Sequence, residues 1–225
     1  MNDPETGTSE PRENPSLPAI TDGIVERLDR LSAARDRALT LSRQIVRLSA
    51  NAVRALHRTD RDAAAALLGD ARALLDQMIE ITTPFPSLYW AGYVQDAMKE
   101  LAEAAISAAM LADLPVPDPG TLGVEDAPYL NALAEAASEL RRDTLDALRE
   151  DDVERARALM GRMDDVYTML VTVDFPDAIT GGLRRSTDQL RGVLERTRGD
   201  VTVGLRQHRL ERALDRVERA TGSAG

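Results

Sequence analysis

Four glutamates on two predicted helices are the residues of this chain whose types and spacing could do chemistry. Glu100 and Glu103 are three residues apart, and Glu135 and Glu139 are four residues apart. Each spacing places both side chains on one side of a helix. If the two helices pack antiparallel, the four carboxylates converge. Hard oxygen ligands in such a cluster suit Mg²⁺ or Mn²⁺ rather than zinc.

Two chemical interpretations of these glutamates are open. A pair of divalent ions is the usual arrangement for phosphodiester cleavage, where the ions polarise the phosphoryl group and generate hydroxide. A glutamate on a helix is more commonly solvated or ion-paired, and Glu139 could simply pair with Arg142 or Arg43. A ferritin-like di-iron centre needs Glu-x-x-His pairs, and neither His57 nor His208 is so placed. Spacing alone leaves the metal site and the ion-paired surface as alternatives.

An arginine-rich segment, residues 181–198, holds a second group of candidates. Its five arginines outnumber one aspartate and one glutamate, which leaves a surplus of three positive charges. The planar guanidinium suits bidentate contact with phosphate, so Arg184, Arg185 and Arg191 are predicted to bind nucleic acid. The alternative is an exposed arginine-rich face that acidic neighbours neutralise.

Amphipathic patterns predict the helices that must position these side chains. Apolar residues recur at steps of three and four, and no segment alternates as a strand does. The predicted helices are 20–57, 60–81, 87–111, 129–149, one that begins at 151 or 152, 178–198 and 201–220. Gly199 and Asp200 are expected to separate the last two, and His57 is interpreted as a C-terminal cap of the first. The sequence predicts an all-α, single-domain bundle of about seven helices with a long first helix.

Composition limits the domain organisation and the classes of binding partner that the chain can have. Residues 1–18 are rich in Pro, Glu, Ser and Thr and are predicted to be a disordered tail, ahead of a helical domain at 19–221 and a frayed end at 222–225. The net charge of −10 argues against indiscriminate nucleic-acid binding but permits a local basic surface. The absence of cysteine excludes zinc fingers and thiol catalysis. No apolar run reaches ~18 residues, so no membrane partner is expected and a cytoplasmic protein is predicted.

Several blocks of the chain resemble the translin/Trax family, especially its archaeal members. The blocks are residues 41–58 (LSRQIVRLSANAVRALHR), 91–104 (AGYVQDAMKELAEA), 129–142 (YLNALAEAASELRR) and 174–200 (DFPDAITGGLRRSTDQLRGVLERTRGD). They occur in the family's order with compatible loops, over roughly residues 24–205. Matched blocks in register are more specific than any single motif among them.

The resemblance implies an all-α, seven-helix protomer that assembles into hollow octamers and binds single-stranded RNA or DNA. In the Trax branch the chamber carries a Mg²⁺-dependent endoribonuclease, with a Glu-x-x-Glu pair on the third helix and an Asp/Glu-x-x-x-Glu pair on the fourth. These positions match Glu100, Glu103, Glu135 and Glu139 here. Glu135 stands where the familiar Trax pattern has Asp, and translin itself keeps only the counterpart of Glu139. Of the basic residues with which translin binds nucleic acid, the resemblance assigns that role here only to the pair Arg184 and Arg185.

The sequence supports one leading hypothesis and two alternatives. The first is an oligomeric Mg²⁺- or Mn²⁺-dependent endoribonuclease for single-stranded or processed structured RNA. In it the four glutamates hold the metal and Arg184, Arg185 and Arg191 hold phosphate. The second is a translin-like protein that binds single-stranded RNA or DNA without catalysis. The third is a helical scaffold whose glutamates only make ion pairs. Cleavage that depends on a divalent ion distinguishes the first from the others.

Overall fold

The computed structural model describes residues 16–222, which form nine helices and no strand, so the predicted all-α class is confirmed. The six long helices are α1 (Leu17–Leu56), α2 (Arg61–Thr82), α4 (Gly92–Ala112), α6 (Asp126–Arg149), α7 (Val153–Leu170) and α9 (Leu183–Gly222). Three single-turn helices join them: α3 (Pro86–Tyr89), α5 (Pro119–Leu122) and α8 (Asp177–Thr180). Within the described range, no helix is long and apolar enough to cross a lipid bilayer.

The predicted tail and frayed end lie mostly outside the described residues. Residues 1–15 and 223–225 are not described. Helix α1 begins at Leu17, within the predicted tail of residues 1–18, and the Ser16 hydroxyl caps it by accepting from the Ala19 N–H at 3.4 Å. A hydroxyl at this position satisfies one of the N–H groups that the first helical turn leaves without a partner.

Capping side chains and a glycine set several other helix ends. The Asp60 side chain caps α2 by accepting from the Ala63 N–H at 3.1 Å, and Asp152 caps α7 in the same way. Gly181 ends α8 in the left-handed conformation at φ 61°, which glycine adopts without steric penalty. The starts of α2 and α7 lie within two residues of the predicted ones because caps act locally. The predicted continuous helix 178–198 is wrong, because Gly181 ends α8 and α9 begins only at Leu183.

The third and fourth predicted helices, which correspond to α4 and α6, run parallel. Tyr89 contacts Glu125 and Lys99 contacts Glu135, and both pairs are 36 residues apart. A constant difference in residue number marks a parallel pair, since in an antiparallel pair the sum would stay constant. The antiparallel arrangement under which the four carboxylates would converge therefore does not occur. The connection 113–125 spans up to ~43 Å when extended, whereas the 21 residues of α4 cover ~32 Å, so this loop can return the chain to the start of α4.

Helix α4 lies between two hydrophobic cores. Val94, Ala97 and Met98 pack towards α1 and α2, whereas Ile106 and Met110 pack towards α6, α7 and α9. Burial on two sides explains why α4 is apolar around most of its circumference. Only a narrow stripe is left for polar side chains, and it carries the candidate glutamates.

The last two predicted helices are one continuous helix, α9. The expected separation at Gly199 and Asp200 is wrong, because a glycine inside a helix costs only ~1 kcal/mol. Arg141 of α6 offsets that cost by donating to the Thr197 hydroxyl at 3.0 Å and to the Asp200 carboxylate at 2.8 Å. The contact fixes α9 against α6 on both sides of Gly199.

The predicted helix 87–111 is interrupted near its start. Trp90 and Ala91 leave helical geometry between α3 and α4, and α4 then begins at Gly92. The Gln95 side chain donates to the Tyr89 carbonyl at 2.9 Å, which satisfies a backbone acceptor that the break frees. The break turns Trp90 away from the core.

Candidate functional site

Three of the four predicted glutamates converge between α4 and α6. One oxygen from each of Glu100, Glu103 and Glu135 lies within 4.8 Å of the other two. Glu100 and Glu103 are one turn apart on α4, Glu135 faces them from α6, and all three are half-buried. Three carboxylate oxygens at this separation can hold a divalent cation, and Mg²⁺ and Mn²⁺ prefer such ligands. These three residues are called the carboxylate cluster below.

Glu103 shows how much negative charge the cluster concentrates. Burial, followed by the charges of Glu135 and Glu100, raises the pKa of Glu103 from 4.5 to about 8. Each effect disfavours the charged carboxylate. Without a bound cation, Glu103 therefore holds a proton at neutral pH, and a cation in the cluster would favour release of that proton.

Lys99, the chain's single lysine, already places a positive charge beside the cluster. Its Nζ lies 2.6 Å from Glu135 Oε2 and 3.3 Å from Glu100 Oε1. Burial acts to lower the pKa of Lys99, but the hydrogen bond with Glu135 and the two carboxylate charges outweigh it and raise that pKa. Lys99 therefore stays charged, and it neutralises part of the cluster.

Glu139 does not join the cluster. Its Oε2 lies 3.5 Å from Nε2 of His57, at the C-terminal end of α1. The predicted convergence thus holds for three of the four glutamates. Glu139 still lines a cleft together with Glu103 and Glu135, so its predicted role at the metal remains a prediction.

His57 lies between two acidic side chains of α6. It occupies the predicted C-cap position of α1, but its side chain is only 9% exposed and its Nδ1 lies 3.4 Å from Asp143 Oδ2. Burial raises the pKa of Asp143, while the charges of His57 and Arg155 oppose that rise. Asp143 and Glu139 are four residues apart on α6, so one imidazole contacts both. The histidine therefore links the end of α1 to the helix that supplies Glu135.

Two clefts border the carboxylate cluster, and α9 forms a wall of each. The larger, with a volume of about 700 Å³, contains Lys99, Glu135 and Arg185 and is called the Arg185 cleft. The second, of about 610 Å³, contains Glu103, Glu135 and Arg196 and is called the Arg196 cleft. Glu135 and Gln189 line both clefts. The carboxylates therefore lie where two open, water-accessible cavities adjoin.

The three predicted nucleic-acid-binding arginines divide between two sides of α9. Only Arg185 lies in a cleft beside the carboxylate cluster. Arg184 and Arg191 line a third cleft of about 380 Å³, called the Arg184 cleft, where Arg184 lies 4.0 Å from Asp174 and Arg191 lies 3.5 Å from Asp188. These pairs match the predicted alternative of a neutralised surface.

Arg196 is a candidate that sequence reasoning did not select. It lies in the Arg196 cleft and, like Arg185, makes no ion pair with any residue in the described range. The sequence did contain a pattern that indicates Arg196, because positions 185, 189, 192 and 196 lie on one face of a helix. Arg196 is therefore on the same side of α9 as Arg185.

Comparison with known proteins identifies relatives over most of the chain. An uncharacterized protein of Methanocaldococcus jannaschii is 28% identical over 197 residues, which is 87% of each chain. The crystal structure of AfC3PO is 31% identical with a TM-score of 0.75, and AfC3PO in complex with duplex RNA is 30% identical with a TM-score of 0.76. Each AfC3PO match covers 82% of this chain and 96% of the other. Apo-NeC3PO, at 19% identity and a TM-score of 0.76, shares the fold over 85% of this chain and 100% of its own. No family model matches the sequence.

Proposed function

The chain belongs to the translin/Trax family, and from this premise we propose that it is an RNA-binding endoribonuclease that depends on Mg²⁺ or Mn²⁺. The observation that carries the proposal is the convergence of Glu100, Glu103 and Glu135 where two clefts adjoin. The complex of the similar AfC3PO with duplex RNA supports RNA as the ligand. The substrate is single-stranded or processed structured RNA, and single-stranded DNA is a second ligand to be tested.

The donor set of the cluster fits a divalent metal ion. Glu100, Glu103 and Glu135 would hold it through hard oxygen atoms, which suit Mg²⁺ and Mn²⁺. The pKa of about 8 at Glu103 reflects burial first and then the like charges of Glu135 and Glu100, which a cation would relieve. When bound, the ion supplies Lewis acidity to the phosphoryl group and lowers the pKa of a bound water.

Side chains of the protein would accept the proton and contact the phosphates. A glutamate of the cluster accepts a proton from the attacking water, because a carboxylate in this position is a general base. Arg185 and Arg196 contact phosphates on the two sides of the cluster, and neither has a competing ion pair within the described residues. Lys99 adds positive charge at the margin of the Arg185 cleft. Glu139 lies beside the Arg196 cleft and takes part as a further ligand or base.

Cleavage of labelled single-stranded RNA with Mg²⁺ or with EDTA tests the proposal. We expect Glu100→Gln with Glu103→Gln to reduce Mg²⁺-dependent cleavage at least ~100-fold while RNA binding survives, because these oxygens are proposed ligands. A double variant of two exposed glutamates, Glu154→Gln with Glu195→Gln, removes the same charge elsewhere and should cleave normally. Unchanged cleavage in the cluster variant would eliminate the proposed site.

One observation favours a second candidate function. Lys99 bridges Glu100 and Glu135, so a lysine already partly neutralises the cluster without a metal. That arrangement supports a non-catalytic, translin-like protein that binds single-stranded RNA or DNA. Such a protein would bind RNA in a salt-sensitive manner yet show no cleavage with any divalent ion. It would also gain no thermal stability from Mg²⁺ or Mn²⁺.

We also propose that the chain acts as a homo-oligomer, an octamer by resemblance to the family. Exposed apolar residues along the first turns of α1 support a self-contact, because a solvated helix rarely presents so many on its surface. They include Leu17, Ile24, Val25 and Leu28. Light scattering coupled to size-exclusion chromatography would give the assembly mass, and a monomer at micromolar concentration would contradict the proposal.

A further inference from the structure

Trp90 has no role in the site described so far. It is the chain's only tryptophan, its side chain is 61% exposed, and it lines the Arg185 cleft. Large aromatic side chains generally bury most of their surface. A tryptophan that lies in an open cleft with Lys99 and Arg185 presents a flat apolar face next to positive charge.

The surroundings of Trp90 hold it in this exposed position. The rings of Tyr89 and Trp90 meet edge to face, with centroids 5.1 Å apart and planes at 80°. The Tyr89 hydroxyl donates to the Glu125 carboxylate, and the Gln95 side chain donates to the Tyr89 carbonyl at 2.9 Å. Tyr89, which precedes Trp90, is therefore held through both its side chain and its backbone. The turn that carries Trp90 is fixed as a result, so a ligand would meet a preorganised surface.

The same cleft contains a second exposed apolar side chain and space beside it. Ile179, which is 64% exposed, also lines the Arg185 cleft. Gly182 follows it closely in sequence, and a Cβ added there would meet nothing within 4 Å. The cleft also contains the carboxylates of Asp96 and Glu135, but Glu135 pairs with Lys99, and Arg185 makes no ion pair with the described residues. Two apolar surfaces, this arginine and a cavity of about 700 Å³ fit a planar apolar ring attached to an anion. A nucleotide has that chemistry.

We propose that the Arg185 cleft is a nucleobase-binding subsite in which one base of a single-stranded RNA stacks on Trp90. Arg185 then contacts the adjoining phosphate, and Glu135 connects the subsite to the carboxylate cluster. Stacking on an aromatic side chain is the usual way to hold an unpaired base without selecting its identity. This subsite rests on the proposed RNA binding but not on cleavage.

Fluorescence of Trp90 tests the subsite directly, because no other residue contributes tryptophan emission. The probes are a 12-nucleotide oligoadenylate and an abasic oligonucleotide of the same length, both added in EDTA so that no metal-dependent cleavage occurs. We expect the oligoadenylate to quench the emission and the abasic strand to bind without quenching it. Binding of both strands without quenching would overturn the subsite and leave the proposed RNA binding intact. If neither strand binds, the proposed function fails together with the subsite.

Variants separate stacking from general apolar contact. We expect Trp90→Ala to weaken binding of labelled oligoadenylate about tenfold, and Trp90→Phe, which keeps a ring, to weaken it less than about threefold. The matched control is Phe175→Ala, because Phe175 is also 61% exposed but lies in the Arg184 cleft. Equal affinity of wild-type protein and the Trp90→Ala variant, with matching melting temperatures, would refute the proposal.

Discussion

At the residue scale, the carboxyl group of Glu103 couples the charge of the cluster to the stability of the fold. Its folded-state pKa of about 8 lies above the ordinary 4.5 because burial and two neighbouring carboxylates disfavour ionisation. The folded protein therefore binds this proton more tightly than the unfolded chain does. The resulting stability is fully present below pH ~4.5 and is lost as the pH rises through about 8.

This coupling predicts the behaviour of Glu103→Gln in metal-free protein. Glutamine resembles the protonated carboxyl and cannot ionise, so the variant should escape the loss of stability at high pH. We expect it to be more stable than wild type by on the order of 4 kcal/mol at pH 8 and by less than ~1 kcal/mol at pH 5. Urea unfolding in EDTA at both pH values measures the difference. A difference that does not change with pH would contradict the assigned protonation.

A second residue-scale prediction concerns the contact between His57 and Asp143. The variants His57→Gln and Asp143→Asn, separately and together, form a double-mutant cycle. Because both side chains are mostly buried, we expect a coupling free energy of ~1 kcal/mol from chemical denaturation. The exposed pair Arg157 and Glu154, 3.9 Å apart, serves as the control and should couple by less than ~0.5 kcal/mol. Equal coupling in both cycles would show that burial does not strengthen the His57 contact.

At the element scale, the loop 113–125 and the position of α9 decide how the site is assembled. The loop brings α6 back to the start of α4, so that Glu135 meets Glu100 and Glu103 in a parallel helix pair. Helix α9 then lies along α6, where Arg141 contacts it on both sides of Gly199. The part of α9 ahead of Gly199 supplies one wall to both clefts.

The continuity of α9 predicts that Gly199→Ala stabilises the protein. Gly199 lies inside a helix and a Cβ there meets nothing within 4 Å, so alanine should raise the free energy of unfolding by ~0.5–1 kcal/mol. Gly123→Ala is the opposite control, because Gly123 has φ 62° and its Cβ would lie 2.6 Å from Arg72. Thermal melts should show a rise for the first variant and a fall for the second. A fall for Gly199→Ala would indicate that the helix breaks there.

At the scale of the whole molecule, the net charge of −10 makes the position of each unpaired arginine important. An acidic molecule repels RNA at long range, so binding depends on local cations that no carboxylate neutralises. Arg185 and Arg196 meet that condition within the described residues, whereas Arg184 and Arg191 are paired.

This division predicts different salt dependences for two matched variants. Removing two phosphate contacts from a single strand should flatten the slope of log affinity against log salt by ~1.4. We expect that change, with weaker binding, for Arg185→Gln with Arg196→Gln, and little change for Arg184→Gln with Arg191→Gln. Fluorescence anisotropy of labelled RNA over a salt series measures both. A larger change in the second variant would place the RNA in the Arg184 cleft instead.

The sequence by itself determined the fold class, most helix ends and the two glutamate pairs, because periodicity, capping residues and spacing along one helix are local properties. The tertiary structure decided which partner each of these side chains meets. Glu139 shares a helix face with Glu135, yet the end of α1 places His57 beside it. Arg184 and Arg185 are adjacent in sequence but lie in different clefts. Spacing along a helix fixes the direction in which a side chain points from the helix axis. Which residue the side chain meets there depends on the path of the loops and on the direction of the neighbouring helix.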